Sequence, residues 1–187
     1  MQIVVRCPWC EKDDLYKNYH DTEWGIPSYN DHHLFEHLIL ETFQAGLSWH
    51  TILVKRENFR KAFNNFDALA ISKFGAKKIS ELMQDTSIIR SMGKINAAIN
   101  NAKLYLECVV EFGSFSNYIW QFTGHKVLNN SRNNLKDLPA TSAQSDAMSK
   151  DMKRRGFKYI GSITCYAYMQ SVGMVNDHLN SCFKKQV

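Results

Sequence analysis

Residues 31–49 read DHHLFEHLILETFQAGLSW, and this stretch decides the fold class of the chain. Its mainly apolar positions recur at spacings of three and four residues, which places them on one arc of an α-helix. These positions are Leu34, Phe35, Leu38, Ile39, Thr42 and Ala45. Gly46 is a typical helix end, and Ser48 is a typical cap for the next helix. The stretch therefore predicts two consecutive helices joined by a tight turn.

The same periodicity extends towards the C-terminus and predicts an all-α architecture with roughly eight helices. The second helix should turn its apolar side chains inward and its basic ones largely outward, the latter being Lys55, Arg56, Arg60 and Lys61. Further helices are predicted at residues 68–74, 77–84, 94–112, 117–122, 145–155 and 163–172. In contrast, residues 1–30 predict an irregular, aromatic-rich segment with one helical turn near Leu15. Residues 129–139 predict a long surface loop.

Composition and charge narrow the class of protein. A chain of 187 residues with 44% hydrophobic residues can bury a sizeable core, so we expect a single globular domain over residues 1–187. The net charge of +5 favours a polyanionic partner. Neither a membrane span nor a signal peptide is recognisable, which predicts a cytoplasmic protein with no membrane partner. Five cysteines in such a chain indicate thiols or a metal site rather than disulfides.

Cysteine and histidine residues near both ends of the chain are candidate metal ligands. His178 and Cys182 stand four residues apart and would share one face of a helical turn. Cys7, Cys10 and His20 supply three more donors near the N-terminus. Four such ligands make a closed tetrahedral zinc site, but ordinary buried thiols and imidazoles are an equal alternative. The spacing alone leaves both interpretations open.

The short connection 85–93 between two predicted helices is a candidate phosphate contact. Gly93 and Lys94 begin the next helix, where exposed backbone N–H groups and the helix dipole favour an anion. A phosphate held there is bound without any base being read, as in a helix-hairpin-helix DNA clamp. The alternative is a plain helix-to-helix turn with a solvated lysine, and these residues alone favour that alternative.

Glu41 is a candidate functional carboxylate. It lies three residues after Leu38, at the edge of the apolar arc, so we expect it to be partly buried. It then either pairs with a lysine or arginine, or faces a cavity and has a function. Gly46, Leu47 and Trp49 follow closely and offer a small residue, an apolar finger and a flat ring. The first quarter of the chain adds more aromatic rings, for which core packing is the alternative: Trp9, Tyr16, Tyr19 and Trp24.

Several of these stretches together match one known family. They are Arg6-Cys7, Tyr19-His20-Asp21, Glu23-Trp24-Gly25, Gln44-Ala45-Gly46-Leu47-Ser48-Trp49, Lys55-Arg56-Glu57-Asn58, Ile88-Ile89-Arg90, Gly93-Lys94-Ile95, Ser145-Asp146-Ala147, Arg155-Gly156-Phe157-Lys158 and Val175-Asn176-Asp177-His178. The chain resembles the 3-methyladenine DNA glycosylase I (TAG) family of bacterial alkylation-repair enzymes along nearly its whole length. The motifs Glu-Trp-Gly and Gln-Ala-Gly-Leu-Ser-Trp at this separation are highly specific.

The resemblance implies a helix-hairpin-helix DNA glycosylase fold, in which a structural zinc ion joins the N- and C-terminal segments. Its ligands in this chain would be Cys7, His20, His178 and Cys182. This choice leaves Cys10 without an assigned role. Four protein ligands leave no open position for a reactive water, so the zinc is expected to be structural. Because Ser91 and Met92 precede a single glycine, the hairpin departs from the commonest glycine-rich signature, and we expect only a modest hold on phosphate.

The resemblance also implies a hydrolase that frees 3-methyladenine from alkylated double-stranded DNA after the base has been flipped out of the stack. The base pocket is expected at Trp9, Tyr16, Tyr19, Trp24, Glu41 and Trp49. Gly46 and Leu47 should meet the gap left in the duplex, and Gly93 and Lys94 the phosphates. Catalytic roles fall to Glu41 and Tyr19, which hydrogen-bond the base edge, and to Trp49, which attracts the cationic base through its ring face.

Methylation at N3 makes the attached adenine cationic, so the glycosidic bond is already weakened and the base leaves neutral. Nothing in the sequence identifies a lysine nucleophile, and we expect a monofunctional, monomeric enzyme without strand cleavage. Two rival functions remain at this stage. One is a non-catalytic, zinc-stabilised DNA-binding module, and the other is a zinc hydrolase acting on a small molecule, which would need an exchangeable water on the metal.

Overall fold

The structure, a computed structural model, describes residues 4–186. Within that range the chain is mostly helical. Its α-helices are α1 (Asp14–Thr22), α2 (Asp31–Gln44), α3 (Trp49–Ala62), α4 (Ala68–Ser72), α5 (Ala76–Gln84), α6 (Met92–Phe112), α7 (Phe115–Trp120), α8 (Ala143–Arg155) and α9 (Ser162–Ser171). Two short strands, β1 (Leu128–Asn129) and β2 (Val175–Asn176), form a parallel pair with Leu128 opposite Val175. None of the described helices is long and apolar enough to cross a membrane.

The predicted pair of helices around residues 31–49 is confirmed. The Ser48 hydroxyl accepts a hydrogen bond from the Thr51 backbone N–H at 3.2 Å and caps α3. Gly46 has a φ of +80° in the turn between α2 and α3, a conformation that L side chains rarely adopt. The other predicted helices are also confirmed, with ends shifted by one or two residues. Periodicity and capping signals therefore located nearly all of the helical framework.

A helix near Leu15 is confirmed, but it is longer than the single turn predicted within the otherwise irregular N-terminal segment. Nine residues of this segment form α1, which the Asp13 side chain caps by accepting a hydrogen bond from the Tyr16 backbone N–H at 2.9 Å. In α1 only Tyr19 and His20 are buried. The helix therefore lacks the apolar repeat by which helices are recognised, because its inward positions carry aromatic and imidazole groups instead of aliphatic ones.

Helix α2 is central to the core. Every residue from position 34 to position 43 is buried, and the helix packs against α3, α6, α7 and α9. A helix that is surrounded on all sides buries its polar positions together with its apolar ones. This placement takes Glu36, His37 and Glu41 out of solvent.

The two ends of the chain meet beside a second, smaller core. That cluster consists of Cys7, Tyr19, Trp24, Leu53, Leu179 and Cys182, with Trp9, Tyr16 and Trp49 packed against it. The Phe183 backbone N–H donates to the Val5 carbonyl oxygen at 2.9 Å and ties the C-terminal segment to the N-terminal one. The aromatic residues of the first quarter of the chain therefore lie against the C-terminal segment.

Candidate active site and Cys/His cluster

A cavity of about 350 Å³ lies between α1, α2, α3 and α9. Its lining is Trp9, Tyr16, Tyr19, Trp24, Glu41, Gln44, Trp49, Leu135, Leu138, Ala167, Gln170 and Ser171. All six side chains that the sequence nominated for a base pocket are among them. The structure thus brings together residues from four helices, from the N-terminal segment outside them and from a loop more than 80 positions beyond Trp49.

The Glu41 side chain is the only carboxylate among the described residues that line this cavity. Glu41 is 2% exposed, and its Oε2 atom has no hydrogen-bond partner in the described part of the chain. Burial raises the pKa of Glu41 to about 8, and contact with the Ser171 hydroxyl offsets only part of that rise. The alternative in which Glu41 pairs with a lysine or arginine is therefore wrong for residues 4–186. Glu41 is also more deeply buried than the sequence predicted.

Aromatic rings wall the cavity around this carboxylate. The Tyr19 and Trp49 ring centroids lie 5.5 Å apart at 48°, and those of Trp9 and Trp24 lie 5.0 Å apart at 71°. The first pair is tilted and the second is edge-to-face, and such pairs fix the orientation of the rings without stacking them on one another. The Trp49 Nε1 atom is buried and has no partner among the described residues. Burial raises the pKa of Tyr19 well above its ordinary value, so its hydroxyl stays protonated.

A buried ion-pair network lies behind the Trp49 ring. Arg56 donates through Nε to Glu36 at 2.5 Å and through Nη1 to both oxygens of Glu23, at 2.9 and 2.6 Å. Arg56 is 8% exposed, so the prediction that it points outward is wrong. The ring of His37, which touches this network, lies 5.9 Å from the Trp49 ring between centroids. Glu36 and Glu23 are thus both paired with Arg56, which the helical pattern alone did not reveal.

The turn between α2 and α3 stands at the mouth of the cavity. Leu47 is 39% exposed, and a Cβ atom added at Gly46 would meet nothing within 4 Å. A second, larger depression of about 680 Å³ runs from this turn to the start of α9 and shares Glu41 with the first cavity. An exposed apolar side chain such as Leu47, next to an opening of this size, is suited to contact a bulky partner. The contact of Gly46 and Leu47 with DNA stays a prediction.

The start of α6, after the connection 85–91 from α5, differs from the interpretation as a plain turn with a solvated lysine. Lys94 Nζ donates to the carbonyl oxygens of Phe43 at 2.8 Å and Ala45 at 2.6 Å, which ties α6 to the end of α2. A solvated lysine is therefore wrong for this position. A Cβ atom at Gly93 would lie 2.7 Å from the Tyr159 hydroxyl, so the absence of a side chain has a steric reason. The phosphate contact of Gly93 and Lys94 stays a prediction.

The Cys/His cluster is composed of Cys7, His20, His178 and Cys182, all buried, with ligand atoms that lie within 4.8 Å of one another. Cys182 Sγ lies 3.4 Å from His20 Nε2 and 3.6 Å from His178 Nδ1. Cys7 Sγ lies 3.7 Å from His178 Nδ1. Donor atoms arranged tetrahedrally at ~2.0–2.3 Å around one ion are separated by similar distances. The cluster can hold a metal ion that joins the two ends of the chain.

Hydrogen bonds outside the cluster orient both imidazole rings. His20 Nδ1 lies 2.8 Å from an Asp21 carboxylate oxygen, and His178 Nε2 lies 3.0 Å from the Trp24 carbonyl oxygen. An acceptor of this kind keeps the ring proton on the nitrogen that it contacts. The other ring nitrogen, which faces the cluster, is then free to bind a metal. The Cys10 thiol lies outside the cluster and donates to the Cys7 carbonyl oxygen at 3.1 Å. Trp24 links the two sites, because its ring lines the cavity while its carbonyl holds His178.

Sequence reasoning missed half of the cavity lining, namely Gln44, Leu135, Leu138, Ala167, Gln170 and Ser171. Leu135 and Leu138 belong to the predicted surface loop, where a 3₁₀ turn at Leu135–Asp137 presents them on one side. The spacing of three between these two leucines is the one signal that pointed to a short helical turn. Gln170 and Ser171 lie at the end of α9 and carry no sequence signal of their own.

Comparison with known proteins identifies the family. The family described as methyladenine glycosylase matches residues 9–185 of the chain. The chain is 46% identical to the DNA-3-methyladenine glycosylase of Haemophilus influenzae over 96% of its length and 97% of that protein. It is 43% identical to DNA-3-methyladenine glycosylase 1 of Escherichia coli K12, over 96% of each.

Solved structures agree with this assignment. A crystal structure of 3-methyladenine DNA glycosylase I (TAG) has a TM-score of 0.93 at 42% identity and covers 96% of this chain and 98% of its own. A variant of such an enzyme, solved in complex with 3-methyladenine, also has a TM-score of 0.93, at 34% identity over 96% and 97%. The chain therefore belongs to the methyladenine glycosylase family and is a hydrolase of the DNA-3-methyladenine glycosylase class.

Proposed function

We propose that this chain excises 3-methyladenine from alkylated double-stranded DNA by flipping the damaged base into the cavity around Glu41. The single observation that supports this most is a carboxylate that is 2% exposed, has no cation beside it within residues 4–186 and is walled by aromatic rings. An unpaired buried carboxyl group is costly to maintain and is typical of a functional site. The cavity of about 350 Å³ falls within the usual range for sites that enclose small ligands.

The raised pKa of Glu41 favours a cationic base over an ordinary one. Near neutral pH the empty site keeps a proton on Glu41, because burial raises its pKa to about 8. A base that carries a positive charge stabilises the carboxylate form when it enters, whereas neutral adenine does not. Glu41 and Tyr19 then hydrogen-bond the base edge, and the Trp49 ring face attracts the positive charge. The affinity of the cavity for a base would therefore increase with the positive charge that methylation creates.

The chemical step requires little from the protein. The bond between the sugar C1′ carbon and the base nitrogen breaks, and its electron pair leaves with the base, which departs neutral. A water molecule then bonds to C1′ through its oxygen and loses a proton to solvent. No lysine lies among the described residues that line the cavity, so no amine is placed to form a Schiff base with the sugar. We infer hydrolysis without strand cleavage.

DNA would approach across the turn between α2 and α3. Leu47, at 39% exposure beside the cavity mouth, would fill the gap that the flipped base leaves in the duplex. The α5–α6 hairpin, with Gly93 in the first turn of α6, would contact phosphates through backbone N–H groups, as a helix-hairpin-helix fold requires. The net charge of +5 supports binding to a polyanion. A single domain, a monomeric state and a cytoplasmic location stay predictions.

We further propose that the Cys/His cluster binds zinc. Two thiolates and two imidazoles with donor atoms 3.4–3.7 Å apart suit a tetrahedral zinc ion. When bound, the metal supplies no reactive position, because all four of its ligands come from the protein. These ligands hold the N-terminal segment, which carries Trp9, to the C-terminal one. Purified protein should contain one zinc per chain, and chelation should lower its melting temperature before it affects excision; absence of metal would contradict the proposal.

The function is tested by chromatographic identification of the bases released from methylated duplex DNA. Wild-type protein should free 3-methyladenine and leave the strand intact, and the Glu41→Gln variant should free much less. Glu57→Gln is the matched control, because Glu57 is 72% exposed in its side chain and lies away from the cavity. Binding to DNA without any released base would favour the non-catalytic DNA-binding module. A covalent adduct trapped by borohydride would refute the hydrolytic mechanism.

A further inference from the structure

The loop that closes one side of the cavity has no apolar anchor of its own. We call residues 130–138 the rim segment; its Leu135 and Leu138 line the cavity together with Ala167, Gln170 and Ser171 of α9. None of the residues in this segment is buried, and neither leucine belongs to a hydrophobic core cluster. Packing therefore does not determine where the rim segment stands. Its position relative to the cavity must come from hydrogen bonds.

A single buried carboxylate supplies the central part of that anchoring. Asp177 is 1% exposed, and its two oxygen atoms face different walls of the cavity. Its Oδ2 atom accepts hydrogen bonds from α9, from the Tyr166 hydroxyl at 2.6 Å and from Gln170 Nε2 at 2.8 Å. Its Oδ1 atom accepts from the rim segment, from Asn130 Nδ2 at 2.9 Å and from Arg132 Nε at 3.1 Å.

Asn180 extends the anchoring along the rim segment. Its backbone N–H donates to the Arg132 carbonyl oxygen at 2.7 Å, and its side-chain amide donates to Ser131 Oγ at 2.9 Å and to Asn133 Oδ1 at 2.8 Å. The next residue, Asn134, forms a capping box with Asp137 that shapes the 3₁₀ turn carrying Leu135. The residues that Asp177 and Asn180 hold therefore lie just before the 3₁₀ turn that carries Leu135.

We propose that Asp177 is a positioning residue for the base pocket, because it fixes the spacing between the rim segment and α9 and so the width of the cavity at Gln170. This inference rests on the proposed function, because it assumes that the cavity binds the purine base. A rigid carboxylate that binds both walls holds them at one separation, whereas an unanchored loop would sample several. Asp177 touches neither the base nor the sugar in this scheme, and it acts through Arg132 and Gln170.

Arg132→Met tests the rim side of this contact while leaving both α9 contacts of Asp177 in place. The dissociation constant of free 3-methyladenine is measured by quenching of tryptophan fluorescence, since Trp9, Trp24 and Trp49 line the cavity. We expect Arg132→Met to raise this constant and the KM for methylated DNA about tenfold, with kcat little changed. Arg132→Lys, which can still donate to Asp177, should recover much of the loss. Metal content should be unchanged.

Arg155→Met is the matched control. The Arg155 side chain is 20% exposed and that of Arg132 is 21% exposed, and both pair with carboxylates, but Arg155 binds Glu111 and Asp151 away from the cavity. Its removal should leave the dissociation constant within about twofold of wild type, even where the melting temperature falls. An equal loss of base affinity in Arg132→Met and Arg155→Met would overturn the proposal, because the effect would then be general.

Hydrogen exchange gives a readout that does not depend on activity. In the protein without base, Arg132→Met should speed exchange of the amides of residues 133–138 by about tenfold and leave those of α9 unchanged. Unchanged exchange together with unchanged base affinity would overturn the role of Asp177 even if wild-type protein releases 3-methyladenine. Failure of the wild-type protein to release that base, with the expected change in exchange, would instead count against the proposed function alone.

Discussion

Two glutamates on one helix are buried to the same extent but differ in their surroundings. Glu36 is 3% exposed and Glu41 is 2% exposed, and both belong to α2. Burial alone would raise the pKa of Glu36, but Arg56 and Arg60 outweigh it, and the pKa of Glu36 is lowered. Burial raises the pKa of Glu41 to about 8, and no cation opposes it among the described residues. Equal burial thus gives opposite charge states.

The difference shows which carboxylate serves the fold and which one serves the site. Glu36 faces α3, whose Arg56 and Arg60 both donate to its Oε1 atom, so its charge is neutralised inside the protein. Glu41 faces the cavity and Ser171 at the end of α9, where a partner can only come from outside. Proteins keep such unpaired groups where a ligand completes them, at a cost to the empty state. The following predictions test this contrast.

The largest effect is expected when Glu36 loses its partner. Arg56→Met removes the cation shared by Glu36 and Glu23 and leaves the buried Glu36 and the partly buried Glu23 with fewer partners. Breaking a buried ion pair from one side typically costs about 3–5 kcal/mol, so the free energy of unfolding should fall by that amount. Urea denaturation followed by circular dichroism measures it. A loss below about 1 kcal/mol would mean that the network is not needed for stability.

Removing the charge at Glu41 should affect excision rather than stability. Glu41→Gln takes away the group that stabilises the bound cation, and the excision rate should fall about 100-fold. Its free energy of unfolding should not fall, because Glu41 has no cationic partner among the described residues to lose, and glutamine can still contact the Ser171 hydroxyl. Single-turnover release of 3-methyladenine and urea denaturation are measured side by side. A fully active variant, or one as unstable as Arg56→Met, would remove the contrast between the two glutamates.

The raised pKa of Glu41 also predicts how stability depends on pH. The folded state holds its proton up to about pH 8, whereas the unfolded chain releases it near the ordinary value of 4.5. Between these values the folded state binds more protons, so this group destabilises the protein progressively as pH rises. Over that interval wild-type protein should lose up to about 1.4 kcal/mol per pH unit relative to Glu41→Gln. Parallel stability curves for the two proteins would contradict the assigned pKa.

The smallest effect is expected for an exposed carboxylate. The Glu57 side chain is 72% exposed and pairs with Arg60 on the surface of α3. Surface ion pairs contribute little, so Glu57→Gln should change the free energy of unfolding by less than about 0.5 kcal/mol. Excision should stay within about twofold of wild type. A larger change in the excision rate would extend the site beyond the cavity described above.

Sequence reasoning succeeded where the signal was local or carried by specific motifs. The apolar repeat of residues 34–45 located α2, and Ser48 located the start of α3. The motifs shared with the family nominated all six aromatic and carboxylate residues that the cavity brings together. Sequence reasoning underestimated the length of α1 and wrongly placed Arg56 on the outward side of α3. The buried face of α1 is not aliphatic, and the side of α3 that carries Arg56 is covered by Glu23 and Glu36 from elsewhere in the chain.

The sequence by itself predicted most of the helical framework, because periodicity is a local property of the chain, and the family motifs nominated the four candidate metal ligands and six of the twelve residues that line the cavity. Tertiary structure alone decided that Arg56 neutralises Glu36 while Glu41 stays unpaired. It also decided that Asp177 joins the rim segment to α9. The physical reason is that charge state and loop position depend on which distant segments meet. Residues 56 and 36, or 132 and 177, become neighbours only when the helices have packed.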